Sequence, residues 1–209
     1  MKINKVAVIG AGLMGSGIAA QVANAGFPVT LLDIVPDGAT NRNVIAESAV
    51  RKMLKPVKLG SPAPLMHKKN AKLITTGNID DNLDFIKDAD LIIEVVLERL
   101  DVKHDVFSKI QTHRKKGSIV TSNTSTIPRE QLVKGMSESF AKDFMITHFF
   151  NPPRYLRLLE IVSGSEVSSD KVQIVSDFCD INLGKEVVVC NDTPGSVSYT
   201  HLRAHETET

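Results

Sequence analysis

The sequence predicts a doubly wound α/β fold, a parallel sheet with helices on both faces, and three observations predict it. Apolar runs of strand length alternate with amphipathic stretches of helical length from Lys5 to Val189. The first run, Val6 to Ile9, passes directly into Gly10, Gly12 and Gly15, and an apolar helical pattern begins at once. A later run, Leu91 to Val96, is apolar but for Glu94, as expected of a parallel strand covered on both faces.

The opening unit reads strand, tight turn, helix, strand. Gly10 can adopt the turn's backbone angles, Gly12 leaves room for a diphosphate, and Gly15 lets the helix lie close to the strand. Met14, Ile18 and Val22 recur at i, i+4 and i+8 on one apolar face, and Gly26 falls where a helix C-cap belongs. Val29 to Leu32 then forms a second strand that ends in Asp33. An acid about twenty residues beyond such glycines is placed to accept ribose hydroxyls and repel a 2′-phosphate, so NAD is expected rather than NADP. Candidate cofactor contacts are Gly10, Gly12, Leu13, Met14, Gly15 and Asp33. A glycine turn before an ordinary surface helix would not need strand, glycines, helix and acid in that order.

From about 37 to 70 the chain reads as a helical insertion: a helix over Val44 to Leu54, then a loop with Pro56, Gly60, Pro62 and Pro64. Its lysines, from Lys52 to Lys72, fit a solvated face or, alternatively, a clamp for an anionic tail. Leu73 to Thr76 is a short strand. Beyond the Leu91 run, Asp101 is placed to cap a helix whose stripe is Val102, Val106, Phe107 and Ile110. Ser118 to Thr121 is a strand leading into Ser122-Asn123-Thr124-Ser125, and a short helix covers Arg129 to Val133. Phe144 to Thr147 is a strand ending at His148, and Leu158 to Val162 is apolar around Glu160. Asp170 to Leu183 is helical and closed by Gly184, and Glu186 to Val189 is a last strand.

Composition narrows the function. A chain of 209 residues with 42% apolar content can bury one good core, and a net charge of +1 gives no field for nucleic acid or an anionic membrane. Cys179 and Cys190 form no C-x-x-C pair, so neither a disulfide framework nor a zinc site is expected, and no metal is assigned. No apolar run approaches the roughly eighteen residues of a membrane span. The first strand begins within a few residues of Met1, with no room for a signal peptide. The expected location is cytoplasmic.

In a doubly wound sheet, ligands bind beyond the carboxyl ends of the strands. The residues that break the apolar runs there are Gly10, Asp33, Glu98, Ser122 to Ser125 and His148. Glu160 sits inside Leu158-Leu159-Glu160-Ile161-Val162, where a buried carboxylate is costly unless paired. A histidine is a natural partner: the carboxylate fixes its tautomer and leaves the other nitrogen as a base. Oxidation of a secondary alcohol by NAD needs such a base. On spacing alone, an exposed Glu160 and a structural His148 remain open.

The motifs add to this reading. Thr147-His148-Phe149-Phe150-Asn151-Pro152-Pro153 with Leu158 to Val162 resembles the 3-hydroxyacyl-CoA dehydrogenases of fatty-acid β-oxidation. So do V-I-G-A-G-L-M-G-S-G-I-A at Val8 to Ala19, I-E-V-V-L-E at Ile93 to Glu98, S-N-T-S at Ser122 to Ser125, and D-T-P-G at Asp192 to Gly195. The likeness runs from Lys5 to Gly195, and N-P-P-R-Y-L at Asn151 to Leu156 is similar to the bacterial multifunctional branch. It implies a Rossmann-type domain over 1–195 and NAD-dependent oxidation of L-3-hydroxyacyl-CoA to 3-ketoacyl-CoA. His148 and Glu160 would be the catalytic pair, and Ser125 would touch both substrate and nicotinamide. Asn151, Glu98 and Lys103 would lie by the cofactor, and Lys69 or Lys72 by coenzyme A. The whole protein would be a homodimer or part of a multifunctional complex.

The family pattern continues past Gly195 into a helical domain. This chain instead reads Ser196 to Thr209 without an apolar helical face, as a read-through tail, so His201 and His205 receive no metal role. With that all-helical domain absent, these residues are expected to bind NAD and to turn over poorly. The competing readings are a β-hydroxyacid dehydrogenase acting on a free acid, which resembles a lysine-based site, and a non-catalytic dinucleotide-binding protein.

Overall fold

β1 (Val6–Ile9) is wholly buried because it is flanked on both sides within the sheet and covered on both faces. The structure, a computed structural model, describes residues 2–56 and 62–192. Lys58 and Gly60, the end of the D-T-P-G motif, the domain boundary at 195 and the tail assigned to 196–209 lie outside the described residues.

Among the described residues eight strands form one sheet in the order β3-β2-β1-β4-β5-β6-β7-β8. The first half comprises β1, α1 (Leu13–Asn24), β2 (Val29–Asp33), α2 (Val44–Met53) and β3 (Ile74–Asn78). A 3₁₀ turn over Lys68–Leu73 leads into β3. The second half runs β4 (Leu91–Glu94), α3 (Leu100–His113), β5 (Ile119–Ser122), α4 (Arg129–Val133), α5 (Glu138–Ala141) and β6 (Phe144–Phe149). β7 (Leu158–Ser163), α6 (Ser169–Asp177) and β8 (Glu186–Cys190) complete the order, and α6 runs on into a π-helical turn at Phe178–Asn182. The order reverses between β1 and β4, which opens a crevice beyond their carboxyl ends.

Alternation along the strands makes two cores. Val6, Val8 and Leu31 pack with Ile18 and Val22 of α1 on one face. Ala7, Ile9 and Ile92 pack with Val106, Phe107 and Ile110 of α3 on the other. There Phe107 lies edge-on to Phe144 with centroids 5.1 Å apart, and Phe140 stacks on Phe144 at 5.5 Å. No helix among the described residues is long and apolar enough to cross a membrane.

Four expectations need correction. The sheet is parallel from β3 to β6, but β7 runs antiparallel to β6, with β8 parallel to β7. The link from Phe149 to Leu158 is too short for a crossover helix, so the chain can only turn back. β4 stops at Glu94, because the Val96 N–H turns to the Glu94 carboxylate at 2.7 Å instead of continuing the ladder. Asp101 is not a cap: Arg99 holds the N-cap position of α3, and Asp101 sits in the first turn, paired with Arg99. The strand ending at His148 instead carries that residue within it and continues to Phe149.

Asp90 fastens the start of the central strands. It accepts the N–H groups of Asn4 at 2.8 Å and Lys5 at 3.0 Å and the Lys115 ammonium at 2.5 Å. Burial pushes its carboxyl up, but the Lys115 and backbone hydrogen bonds outweigh burial and hold it below its usual 3.8. A depressed acid contributes stability that is present above the unfolded value and lost as pH falls through the folded one. Asp90→Asn should therefore lower stability by about 1–3 kcal/mol at neutral pH. Urea melts should show the gap to wild type closing below about pH 4; a pH-independent gap would assign the effect to packing.

Candidate active site

The glycine turn is fixed by main-chain crowding. Gly10 has φ +109°, and a Cβ there would stand 2.4 Å from the Val95 carbonyl oxygen. A Cβ on Gly15 would lie 1.8 Å from the Gly10 carbonyl oxygen, so the helix can approach the turn this closely only without a side chain. Gly12 has open space where its Cβ would be. It is also the N-cap of the twelve-residue α1, with no capping side chain and no acid in the first turn. An uncapped helix N-terminus beneath an open glycine suits an anion such as a diphosphate. Leu13 is exposed at this mouth and Met14 half-buried.

Asp33 ends β2 beside that turn. One carboxylate oxygen accepts the Ala11 N–H at 2.5 Å, and the other accepts the Ile34 N–H at 2.7 Å. The acid is thereby held at the crevice edge, half-exposed, where it can reach a ribose.

Across the crevice, Glu98 organises the loop after β5. It accepts the Thr124 hydroxyl at 2.5 Å, the Ser125 N–H at 2.9 Å and the Thr126 N–H at 3.2 Å, while Lys103 reaches its second oxygen at 3.2 Å. Burial pushes the Glu98 carboxyl up, but the Thr124 hydroxyl, the Lys103 charge and the Ser125 N–H more than offset that and hold it low. Ser125 is exposed on this loop, and Asn151 is exposed just past β6. Lys103 does not face the crevice openly: it is buried in α3 and also holds both oxygens of Glu94, at 2.8 and 3.1 Å.

His148 and Glu160 are brought together by the strand reversal. They stand directly opposite in the β6–β7 register, so both side chains share one face. His148 Nδ1 lies 2.9 Å from Glu160 Oε2, with both residues buried. The Phe150 ring lies 4.5 Å from the imidazole. Nε2 has no hydrogen-bond partner among the described residues, yet no buried side-chain nitrogen or oxygen among them lacks one. That nitrogen therefore keeps an opening to the surface. The Phe149 N–H donates to Asn123 at 2.8 Å, tying the serine loop to the histidine strand.

Burial pushes the Cys179 thiol up to about 12, which removes it as a nucleophile at neutral pH. No group of His, Cys, Asp and Glu among the described residues could hold a metal ion.

Three participants escaped the sequence reading. Glu94 was visible as an acid within an apolar strand, the same signal that singled out Glu160. Asn123 carries no signal in the sequence beyond membership of a polar loop. Lys185 is buried and donates to the carbonyls of Pro153 and Leu156, anchoring the segment after Asn151; nothing in its local sequence marks it.

A family model described as the NAD-binding domain of 3-hydroxyacyl-CoA dehydrogenase matches residues 5–193. A Deinococcus radiodurans protein named a probable 3-hydroxyacyl-CoA dehydrogenase is 47% identical over 198 residues, covering 95% of this chain and 56% of its own length. The α subunit of the fatty acid oxidation complex of Acinetobacter baumannii is 32% identical over 200 residues, covering 92% of this chain and 26% of its own. Among solved structures, (S)-3-hydroxybutyryl-CoA dehydrogenase PaaH1 from Ralstonia eutropha superposes with a TM-score of 0.75 at 29% identity, covering 96% of this chain and 68% of that one. The chain thus spans about half, or about a quarter, of the length of these curated relatives.

Proposed function

This chain belongs to the 3-hydroxyacyl-CoA dehydrogenase family as its NAD-binding domain, and on that premise we propose that it supplies the cofactor groove and the general base for oxidation of an L-3-hydroxyacyl-CoA to the 3-ketoacyl-CoA. The observation that carries the proposal is the His148–Glu160 pair on the sheet that also presents the glycine turn.

The groove's fit to NAD rests on the open Gly12, the uncapped α1 and Asp33. The turn and helix would hold the diphosphate, Asp33 the adenosine ribose, and Glu98, Ser125 and Asn151 the nicotinamide side. Bound NAD would accept the hydride. His148 Nε2 would take the proton of the substrate hydroxyl as that hydride leaves. Glu160 keeps the proton of the neutral ring on Nδ1 and balances the imidazolium once it forms. Lys103 reaches the cofactor side through Glu98. Lys69 or Lys72, both exposed at the 3₁₀ turn, would meet the anionic part of coenzyme A.

The whole protein would work in the cytoplasm, as a homodimer or within a multifunctional oxidation complex. NADH oxidation by that protein with acetoacetyl-CoA against a free 3-keto acid tests the reading. Turnover confined to the thioester is expected; equal or better turnover of the free acid would favour a β-hydroxyacid dehydrogenase. NAD binding with no turnover of either would leave a dinucleotide sensor.

Asp33→Asn should weaken NAD about tenfold without creating NADP affinity, because the charge is lost while the Ala11 hydrogen bond can persist. Titration with both dinucleotides checks this, and unmoved NAD affinity would place the ribose elsewhere.

A further inference from the structure

Glu94, Lys103 and Glu98 form one chain of charges, buried at Glu94 and Lys103 and opening to the crevice at the exposed Glu98, and its composition is unbalanced. Glu94 is fully buried and receives only donors: the Val96 N–H at 2.7 Å, the Lys103 ammonium, and the Ser122 hydroxyl at 2.5 Å. Glu98 likewise receives only donors, from Thr124, Ser125, Thr126 and Lys103. A group surrounded by donors is the acceptor-only carboxylate. Among the described residues the chain holds two carboxylates and one ammonium, one negative charge in excess.

The cluster sits at the carboxyl ends of β4 and β5, in the second half of the doubly wound sheet, where a dinucleotide's nicotinamide half lies. Oxidised nicotinamide carries a positive charge and the reduced ring carries none. A fixed charge in a poorly solvated site distinguishes the two. We infer that this excess charge sets the domain's preference between oxidised and reduced cofactor, and that Glu94 does so without touching the cofactor, as a positioning residue behind Lys103 and Glu98. The inference rests on the proposed placement of the nicotinamide beside Glu98.

The test is titration of the chain and its variants with NAD⁺, NADH and ADP-ribose, which lacks the nicotinamide. Glu94→Gln removes one negative charge and should weaken NAD⁺ relative to NADH on the order of tenfold, leaving ADP-ribose unchanged. Lys103→Gln should move the ratio the other way by a similar factor. The double variant restores one excess negative charge and should return the ratio to that of wild type. Single variants that shift the ratio in the same direction, or leave it unmoved while still binding ADP-ribose, would overturn the inference. If one single variant fails to bind ADP-ribose, the direction of the other decides. Wild-type chain that binds neither dinucleotide nor ADP-ribose would instead overturn the cofactor reading on which the inference stands.

Discussion

His148→Gln should reduce hydride transfer in the whole enzyme by about 10²–10⁴-fold while leaving the NADH affinity of this chain within about twofold. Glutamine is close in size and can still offer an N–H to Glu160, whose oxygen lies 2.9 Å from Nδ1 in the native pair. It cannot take up a proton, so the loss falls on the chemical step. The pair is buried on one face of β6 and β7, with β4 and β5 between it and the strand that carries the glycine turn, so cofactor binding has no reason to follow. Single-turnover kinetics with acetoacetyl-CoA and a fluorescence titration of NADH separate the two effects. A large fall in NADH affinity, or in melting temperature, would make His148 a packing residue.

The second large effect concerns two glycines of one motif that should fail differently. Gly15→Ala puts a methyl 1.8 Å from the Gly10 carbonyl oxygen, and both sides of that contact are main chain. Helix and turn must separate, at a cost of about 1–3 kcal/mol, and the N–H groups retreat from the diphosphate. NAD affinity should fall by more than about a hundredfold, together with stability. Gly12→Ala meets nothing within 4 Å, and its φ of −66° is open to any residue. Its melting temperature should match wild type, while the methyl occupies the space left for the ligand and weakens NAD. If both variants melt normally and bind normally, the diphosphate is not on this turn.

What the sequence disclosed follows from how far each signal reaches along the chain. The glycine turn, α1 and Asp33 lie within one continuous unit, and each is dictated by local spacing. The start of α2 and both ends of α4 are legible locally as well, and α2 ends one residue short of the expected Leu54. The Lys103 contacts were not, because a lysine on a helix reads as a solvated face until packing shows it buried against Glu94. The reversal at β7 was hidden as well: an apolar run looks alike in either direction, and only the short link after Phe149 excludes a crossover. His148 and Glu160 could each be suspected as residues, but their contact depends on cross-strand register, which no spacing rule specifies.

That register makes the pair all-or-none. Because strand side chains alternate between faces, one extra residue between Leu158 and Glu160 would turn the carboxylate to the opposite side of the sheet, out of reach of the imidazole. Insertions and deletions near the site should thus be sharply polarised among working homologues: confined to connecting segments, and excluded from Leu158 and Leu159, the strand positions leading up to the acid.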